Sequence, residues 1–322
     1  MTPVVERLRV GVVGAGVMGG HHARIYAELP EAELVGVCDV QRERAEELAH
    51  RWGAAAFASL DDFLRQGLDA VSVAVPTTEH RRVAEACAEA GVHILLEKPA
   101  AGDPGEARKI FAACRKSSVR MMVGYVERFN PVVLALRRAL AGREVMSLEI
   151  TRVGPRPPRI RDVGVVVDLA THDIDLLRFL TGDEIERSMS LVSSLNGGHE
   201  DQALLSFRTR RGIAAHVNVN WITPFKVRRI RVATSDRFME GDLLARTAYV
   251  YHMLEDDSSG GVAYSQEALE VEEEEPLRKE IREFLRCLRT GEEMPVSERD
   301  ACVSLEIAQA CLEREICSFS YD

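Results

Sequence analysis

The chain has 322 residues, 46% hydrophobic and 29% charged, with a formal net charge of −10, which suits a globular protein of two domains. The acidic balance argues against non-specific nucleic-acid binding, and no apolar run approaches the ~20 residues that span a bilayer. Seven scattered cysteines (38, 87, 114, 287, 302, 311 and 317) form no C-x-x-C pair or Cys/His cluster, and no signal-peptide core follows Met1-Thr2-Pro3, so the expectation is a cytoplasmic protein with reduced thiols and no metal.

Arg7-Leu8-Arg9-Val10-Gly11-Val12-Val13 runs into Gly14-Ala15-Gly16-Val17-Met18-Gly19, and Asp39 closes the next apolar run 20 residues after Gly19. Strand, glycine turn, helix, strand and acid in this order predict a dinucleotide site. Gly14 allows the tight turn, Gly16 lets the backbone approach a pyrophosphate, and Gly19 lets helix and strand pack closely. The helix N-terminus, with the backbone of Val17 and Met18, offers N–H groups to the phosphates. Asp39 can accept hydrogen bonds from an adenosine ribose and would repel a 2′-phosphate, so NAD is expected ahead of NADP. Arg42, beside that position, is the residue that would favour NADP.

Further along, Ala54–Phe57, Ala70–Val75, His93–Leu96 and Arg120–Val123 read as strands. They alternate with helical patterns at Arg42–Trp52, Leu60–Gln66, Glu79–Ala90 and Pro104–Lys116. That alternation predicts an α/β domain over 1–123 with a doubly wound parallel sheet, a Rossmann domain. After residue 124 the texture changes. Strands are expected at Glu144–Val153, Ile185–Leu195, Gln202–Thr209, Ile213–Trp221, Val227–Ala233 and Ala248–Met253, several alternating apolar and polar residues. They predict an α+β domain over 124–322 with an open, mostly antiparallel sheet. One helix, Asp168–Leu180, interrupts the strands and ends at Gly182. Helical spacing returns at Pro276–Leu288 and Glu298–Ile316, and this last helix is a candidate to pack back on the first domain.

Three constellations carry chemistry. Glu97-Lys98-Pro99 ends the fifth strand, at the edge where open α/β sheets bind ligands, and there an ammonium can polarise a hydroxyl or transfer a proton. A surface lysine ending a strand is the competing reading. Asp168, His172 and Asp175 share one helical stripe, where a carboxylate one turn from an imidazole can orient it as a general base. An ordinary exposed Asp–His pair is the alternative. Arg152, Arg156, Arg159 and Arg161 cluster around prolines and suit phosphate oxygens, or simply a solvated loop. Gly124–Pro131, with Tyr125 and Arg128, supplies a phenol and a guanidinium, or a hinge.

Taken in order, Gly14–Gly19, Glu97-Lys98-Pro99 and Asp168-x-x-x-His172-x-x-Asp175 resemble the Gfo/Idh/MocA family of sugar dehydrogenases over essentially the whole chain. The resemblance implies a Rossmann domain joined to an open sheet that mediates homodimers or homotetramers. It implies Lys98, Asp168 and His172 as catalytic residues, with Ala170 standing where the family often has glycine. Glu97 and the turn carrying Pro76, Thr77 and His80 would place the nicotinamide ribose. Tyr125, Arg128, Arg156, Arg161 and Asp175 are the substrate candidates. Val126–Pro131 and Gly154-Pro155-Arg156 look like the family's UDP-N-acetylglucosamine 3-dehydrogenase branch, which would give the arginine loop a diphosphate to bind. A dehydrogenase of a free sugar or polyol such as inositol, an NAD-dependent glycosidase and a non-catalytic NAD or sugar sensor are the competing readings.

Overall fold

In the computed structural model, which describes residues 7–157, 163–195, 198–254 and 263–313, the first third forms a parallel sheet. Its strands are β1 (Leu8–Val13), β2 (Ala32–Cys38), β3 (Ala55–Phe57), β4 (Ala70–Val73), β5 (His93–Glu97) and β6 (Met121–Gly124), in the order β3-β2-β1-β4-β5-β6. The crossovers are α1 (Val17–Glu28), α2 (Arg42–Trp52), α3 (Leu60–Leu64), α4 (His80–Glu89) and α5 (Pro104–Lys116). Every residue of β4 is buried, as expected where helices cover both faces of a parallel sheet. Local signals set the helix ends. Asp103 accepts from the Gly105 and Glu106 N–H groups ahead of Pro104, and α2 stops at Gly53 in the left-handed conformation. Strand order reverses beside β1, which opens a crevice at the carboxyl ends of the strands.

The second sheet comprises β7 (Val145–Pro155), β8 (Ile185–Ser193), β9 (Gln202–Thr209), β10 (Ala214–Asn220), β11 (Ile222–Thr234), β12 (Arg237–Asp242), β13 (Thr247–Leu254) and β14 (Ala263–Ala268). Their order is β14-β13-β12-β11-β7-β10-β9-β8, and among the described residues β7 with β10 is the single parallel pair of this second sheet. One face buries Leu148, Ile150, Leu205, Val217, Val219, Ile230 and Val232 in a core shared with α6 (Pro131–Leu140) and α7 (Thr171–Thr181).

Two strands and a helix lie beyond the expected elements. α6 begins at Asn130, whose side chain accepts from the Val132 N–H, with Pro131 at the first helical position. This Asn-Pro start was legible in the sequence. β12 was not: its six residues include three charges and a glycine. A Cβ at Gly241 would come within 2.6 Å of Val132, so packing on α6 selects that residue.

The chain divides into two compact units, one holding residues up to Val126 with Pro276–Val303, the other Glu127–Glu275 and the chain from Ser304. The expected division at 123/124 assigned 276–303 to the second domain; it belongs with the first. The reason is α8 (Pro276–Thr290), which buries Leu277, Ile281, Phe284 and Leu285 on one face. Arg278 pairs with Glu28 of α1, and Arg289 donates to the Glu31 carbonyl at 2.6 Å. Among the described residues six cysteines are free and no helix is long and apolar enough to cross a membrane.

α8 also buries Glu280 completely, with no hydrogen bond to either carboxyl oxygen. Burial, and then the nearby Glu97 charge, raise its pKa well above the glutamate range. A proton retained in the folded state and lost in the unfolded one means stability falls as pH rises above the unfolded value. The slope is about 1.4 kcal/mol per pH unit until the folded group also ionises. Glu280→Gln removes that slope. The variant is expected to melt near the parent at acid pH and progressively above it towards pH 8 (about the end of the usual stability plateau), as measured by calorimetry at several pH values. A melting-temperature difference independent of pH would contradict a neutral Glu280.

Candidate active site

In the first unit, the turn after β1 is built by two glycines of different necessity. Gly14 has φ +101°, and a Cβ there would meet the Ala74 carbonyl oxygen at 2.5 Å. A Cβ on Gly19 would lie 1.7 Å from the Gly14 carbonyl oxygen, so α1 can approach β1 only with glycine there. Asp39 braces the same turn: one carboxylate oxygen accepts from the Ala15 N–H at 2.7 Å and the other from the Gln41 N–H at 2.8 Å.

β5 lies on the same sheet and ends at Glu97, so Lys98 sits beyond its carboxyl end and leads into a cis Lys98–Pro99 peptide. Glu97 accepts from His22 Nε2 at 2.9 Å. Burial, the largest influence, would raise the Glu97 pKa. The His22 hydrogen bond, with the charges of His22, Lys98 and His80, outweighs it and holds the carboxyl below the usual range. His80, at the start of α4, is buried with its Nδ1 3.0 Å from the Pro99 carbonyl oxygen and its Nε2 3.0 Å from that of Val75. Its ring therefore ties the turn after β4 to the segment after Lys98. Pro76 is exposed and Thr77 half-buried in that turn.

In the second unit, the helix expected from Asp168 begins regularly at Thr171, after a widened turn over Val166–Ala170. The Thr171 N–H reaches back to the Val166 carbonyl, and Thr171 Oγ1 donates to the Val167 carbonyl at 2.8 Å. Three successive valines, Val165 to Val167, oppose a regular first turn. Glu200 supplies the partners instead, its backbone carbonyl accepting from Val165 and its side chain from Val166. Gly164 makes room, since a Cβ there would sit 2.1 Å from the Glu200 carboxyl. Asp168 and His172 are each only 8% exposed.

Beside them lies a buried charge cluster. Arg152 of β7 donates to Asp173 at 2.7 Å and to Glu127 at 2.6 Å. Burial pushes the Asp173 pKa up against the pull of Arg152. Burial and then the Arg152 charge push Arg228 down to about 10, while Asp173, Glu127 and Asp168 oppose them. The cluster anchors the start of α7 to β7, and so positions the backbone that carries His172.

A family model described as "Oxidoreductase family, NAD-binding Rossmann fold" matches residues 8–125, and the GFO/IDH/MocA C-terminal domain model matches residues 144–239. The chain belongs to the GFO/IDH/MocA family. It is 33% identical over 281 residues to UDP-N-acetylglucosamine 3-dehydrogenase of Acidithiobacillus ferrooxidans, covering 87% of this chain and 88% of the relative. It is 27% identical over 326 residues to scyllo-inositol 2-dehydrogenase (NAD(+)) of Bacillus subtilis, covering 95% and 93%. The solved structure of UDP-N-acetylglucosamine 3-dehydrogenase GnnA from Acidithiobacillus ferrooxidans aligns with a TM-score of 0.88 and 30% identity over 96% of this chain and 99% of that one.

As a GFO/IDH/MocA oxidoreductase the chain binds NAD, and the turn fits that group. A Cβ on Gly16 meets nothing within 4 Å. Gly16 precedes an α1 first turn that has no side-chain cap and no acidic residue, an open cradle of N–H donors for a pyrophosphate. Arg42 lies along α2 with its Nε 2.7 Å from Glu46, so Asp39 faces no arginine partner from that residue. Gly16→Val is therefore expected to weaken NAD binding by about 100-fold (about 2.7 kcal/mol) with the melting temperature of the apo protein unchanged, measured by calorimetric titration. Equal loss of stability and affinity would show that Gly16 serves the fold.

Other expected GFO/IDH/MocA site residues take different places. Arg128 and Asp175 come together, but as a buried fork: Nε to Oδ2 at 2.7 Å and NH2 to Oδ1 at 2.6 Å. The Arg128 guanidinium also lies 5.0 Å from the Phe179 ring centre. Both side chains are held and buried in this pairing, which gives each a structural role that the sequence pattern does not reveal. Arg152, counted with the arginine loop, is a buried strand residue for the same reason. Arg156 retains access, 41% exposed, 3.2 Å from Asp201 and stacked 5.1 Å from the Trp221 ring centre. Tyr125 is buried in the first unit. Arg159 and Arg161 lie outside the described residues. Sequence reasoning passed over His22, Ser72, Arg228 and Glu200, because each acts through a partner distant in sequence.

Proposed function

We propose that the protein oxidises a sugar hydroxyl to a ketone, with NAD accepting the hydride, and that the sugar is the N-acetylglucosamine of UDP-N-acetylglucosamine, at its 3-OH. The observation that carries dehydrogenase chemistry is the placement of Lys98 beyond β5, on the sheet edge that also carries the Gly14–Gly19 turn and Asp39. His172 takes the hydroxyl proton, with Asp168 orienting the imidazole. Lys98 hydrogen-bonds the same oxygen and stabilises its developing charge. Asp39 accepts from the adenosine ribose; Glu97 and the Pro76-Thr77 turn place the nicotinamide side, with His80 holding that turn in shape. Arg156, partly exposed and stacked on Trp221, contacts the diphosphate, and Arg161 is the second arginine assigned to it.

The nucleotide-linked substrate is supported by the 33% identity to UDP-N-acetylglucosamine 3-dehydrogenase. A free inositol is the second reading, supported by the 27% identity to scyllo-inositol 2-dehydrogenase. Mixing the protein with NAD and a panel of UDP-sugars and free polyols, and following NADH absorbance, separates them. NADH formation confined to UDP-N-acetylglucosamine is expected. Turnover of inositol with no response to any UDP-sugar would overturn the assignment. The proposed location is the cytoplasm and the proposed state a homodimer or homotetramer; exposed Met189, Leu191, Phe238 and Tyr264 on the second sheet support the oligomer, and sedimentation measures it.

A further inference from the structure

Behind the strand end that carries Lys98, the first unit encloses a chain of four polar side chains. Tyr26 Oη lies 2.8 Å from Ser72 Oγ, Ser72 Oγ 2.8 Å from His22 Nδ1, and His22 Nε2 2.9 Å from Glu97 Oε1. Tyr26, His22 and Ser72 have no exposed surface. His22 and Tyr26 are four residues apart on α1 and so share one face, Ser72 is central in β4, and Glu97 ends β5. With a neutral imidazole, one ordering of donors satisfies a carboxylate that only accepts. Tyr26 donates to Ser72, Ser72 to His22 Nδ1, and the His22 Nε2–H to Glu97.

We propose that His22 is a positioning residue for the oxidation step: through its hydrogen bond to Glu97 it holds that carboxylate in place beside Lys98, without touching cofactor or substrate. The proposal rests on the dehydrogenase reading above. The groups facing Glu97 are few. His22 comes from α1, Lys98 adjoins in the chain, His80 comes from α4, and Glu280 from α8 is close enough to feel the Glu97 charge. Glu280 is held neutral by burial and so places no like charge against Glu97. Tyr26, whose ionisation burial pushes far up, stays a donor. Glu97 is thus an anion in a largely dry site that His22 hydrogen-bonds from α1. Without that donor, desolvation is left opposed only by the Lys98 and His80 charges, and the carboxyl takes up its proton at higher pH.

The test uses the full chain labelled with carbon-13 at the glutamate carboxyl carbons, with Glu97→Gln identifying the Glu97 resonance. In His22→Leu the Glu97 carboxyl is expected to titrate about one pH unit higher than in the parent, a tenfold change in proton affinity. His22→Gln, which keeps an N–H donor, restores most of the parent titration. Ser72→Ala, a milder change should His22→Leu fold poorly, shifts it in the same direction and less far. With the substrate that reduces NAD, the acid limb of kcat/KM follows the same order, with activity lost at higher pH in His22→Leu than in His22→Gln. An unchanged Glu97 titration in His22→Leu overturns the proposal. So does a shifted titration with an unmoved pH profile, which would make the pair purely structural. If no sugar or polyol is oxidised by the parent protein, the dehydrogenase reading fails, while the apo titration still decides whether His22 governs Glu97.

Discussion

Replacing His172 with glutamine is expected to lower kcat/KM for sugar oxidation by roughly 10²- to 10⁴-fold, the usual range for removing a general base. NAD affinity and melting temperature should stay at the parent values. Glutamine keeps the bulk and hydrogen-bonding capacity of the side chain, but it cannot take a proton from a hydroxyl. The backbone that carries it is anchored independently, by Arg152 on Asp173 and by Glu200 on Val165 and Val166. Lys98→Met should give a loss of the same order, because an ammonium that stabilises charge on the reacting oxygen contributes mainly in the transition state. Steady-state kinetics with the sugar identified by the NADH assay measure both. If either variant turns over at the parental rate with its fold intact, that residue has no part in the chemistry, whatever its place in the motif.

Asp175→Ala is expected to act on stability. The Arg128 guanidinium and the Asp175 carboxylate are 7% and 1% exposed and share two short hydrogen bonds. Removing the carboxylate leaves a buried cation without its fork partner, which costs about 3–5 kcal/mol. For a unit of this size that corresponds to a fall in melting temperature of roughly 10 °C. Arg128→Met combined with Asp175→Leu should recover most of the loss, because two well-packed apolar side chains need no counter-charge. Thermal unfolding of the single and double variants tests this. If Asp175→Ala instead raises KM and leaves melting unchanged, Asp175 is a substrate ligand after all.

Those two residues show where sequence reading and structure part. In the sequence Asp175 falls on one helical stripe with Asp168 and His172, and all three look alike. Spacing along a helix reports a shared face; it does not report what crosses that face. Arg128, 47 positions away, claims Asp175. Similarly, Arg152 and Arg156 are four positions apart in one basic run, yet β7 buries the first against Asp173 and Glu127 while the second remains at the surface beside Trp221. The basic run therefore joins a buried ion-pair partner to a surface side chain.

Local signals were enough wherever the physics is local. The glycine turn, Asp39, the alternating βαβ pattern and the end of α7 at Gly182 depend on φ preferences, helix ends and a hydrophobic period that any short window contains. From these alone the amino-acid sequence determined a Rossmann domain with an NAD site and a second α+β domain. Tertiary structure decided what each charge faces. It returned Pro276–Val303 to the first unit, widened the turn that carries Asp168, paired Arg128 with Asp175, and set His22, Ser72 and Tyr26 behind Glu97. Burial and pairing arise between residues far apart in the chain, and they, more than residue type, determine whether a charged side chain serves the fold or meets a substrate.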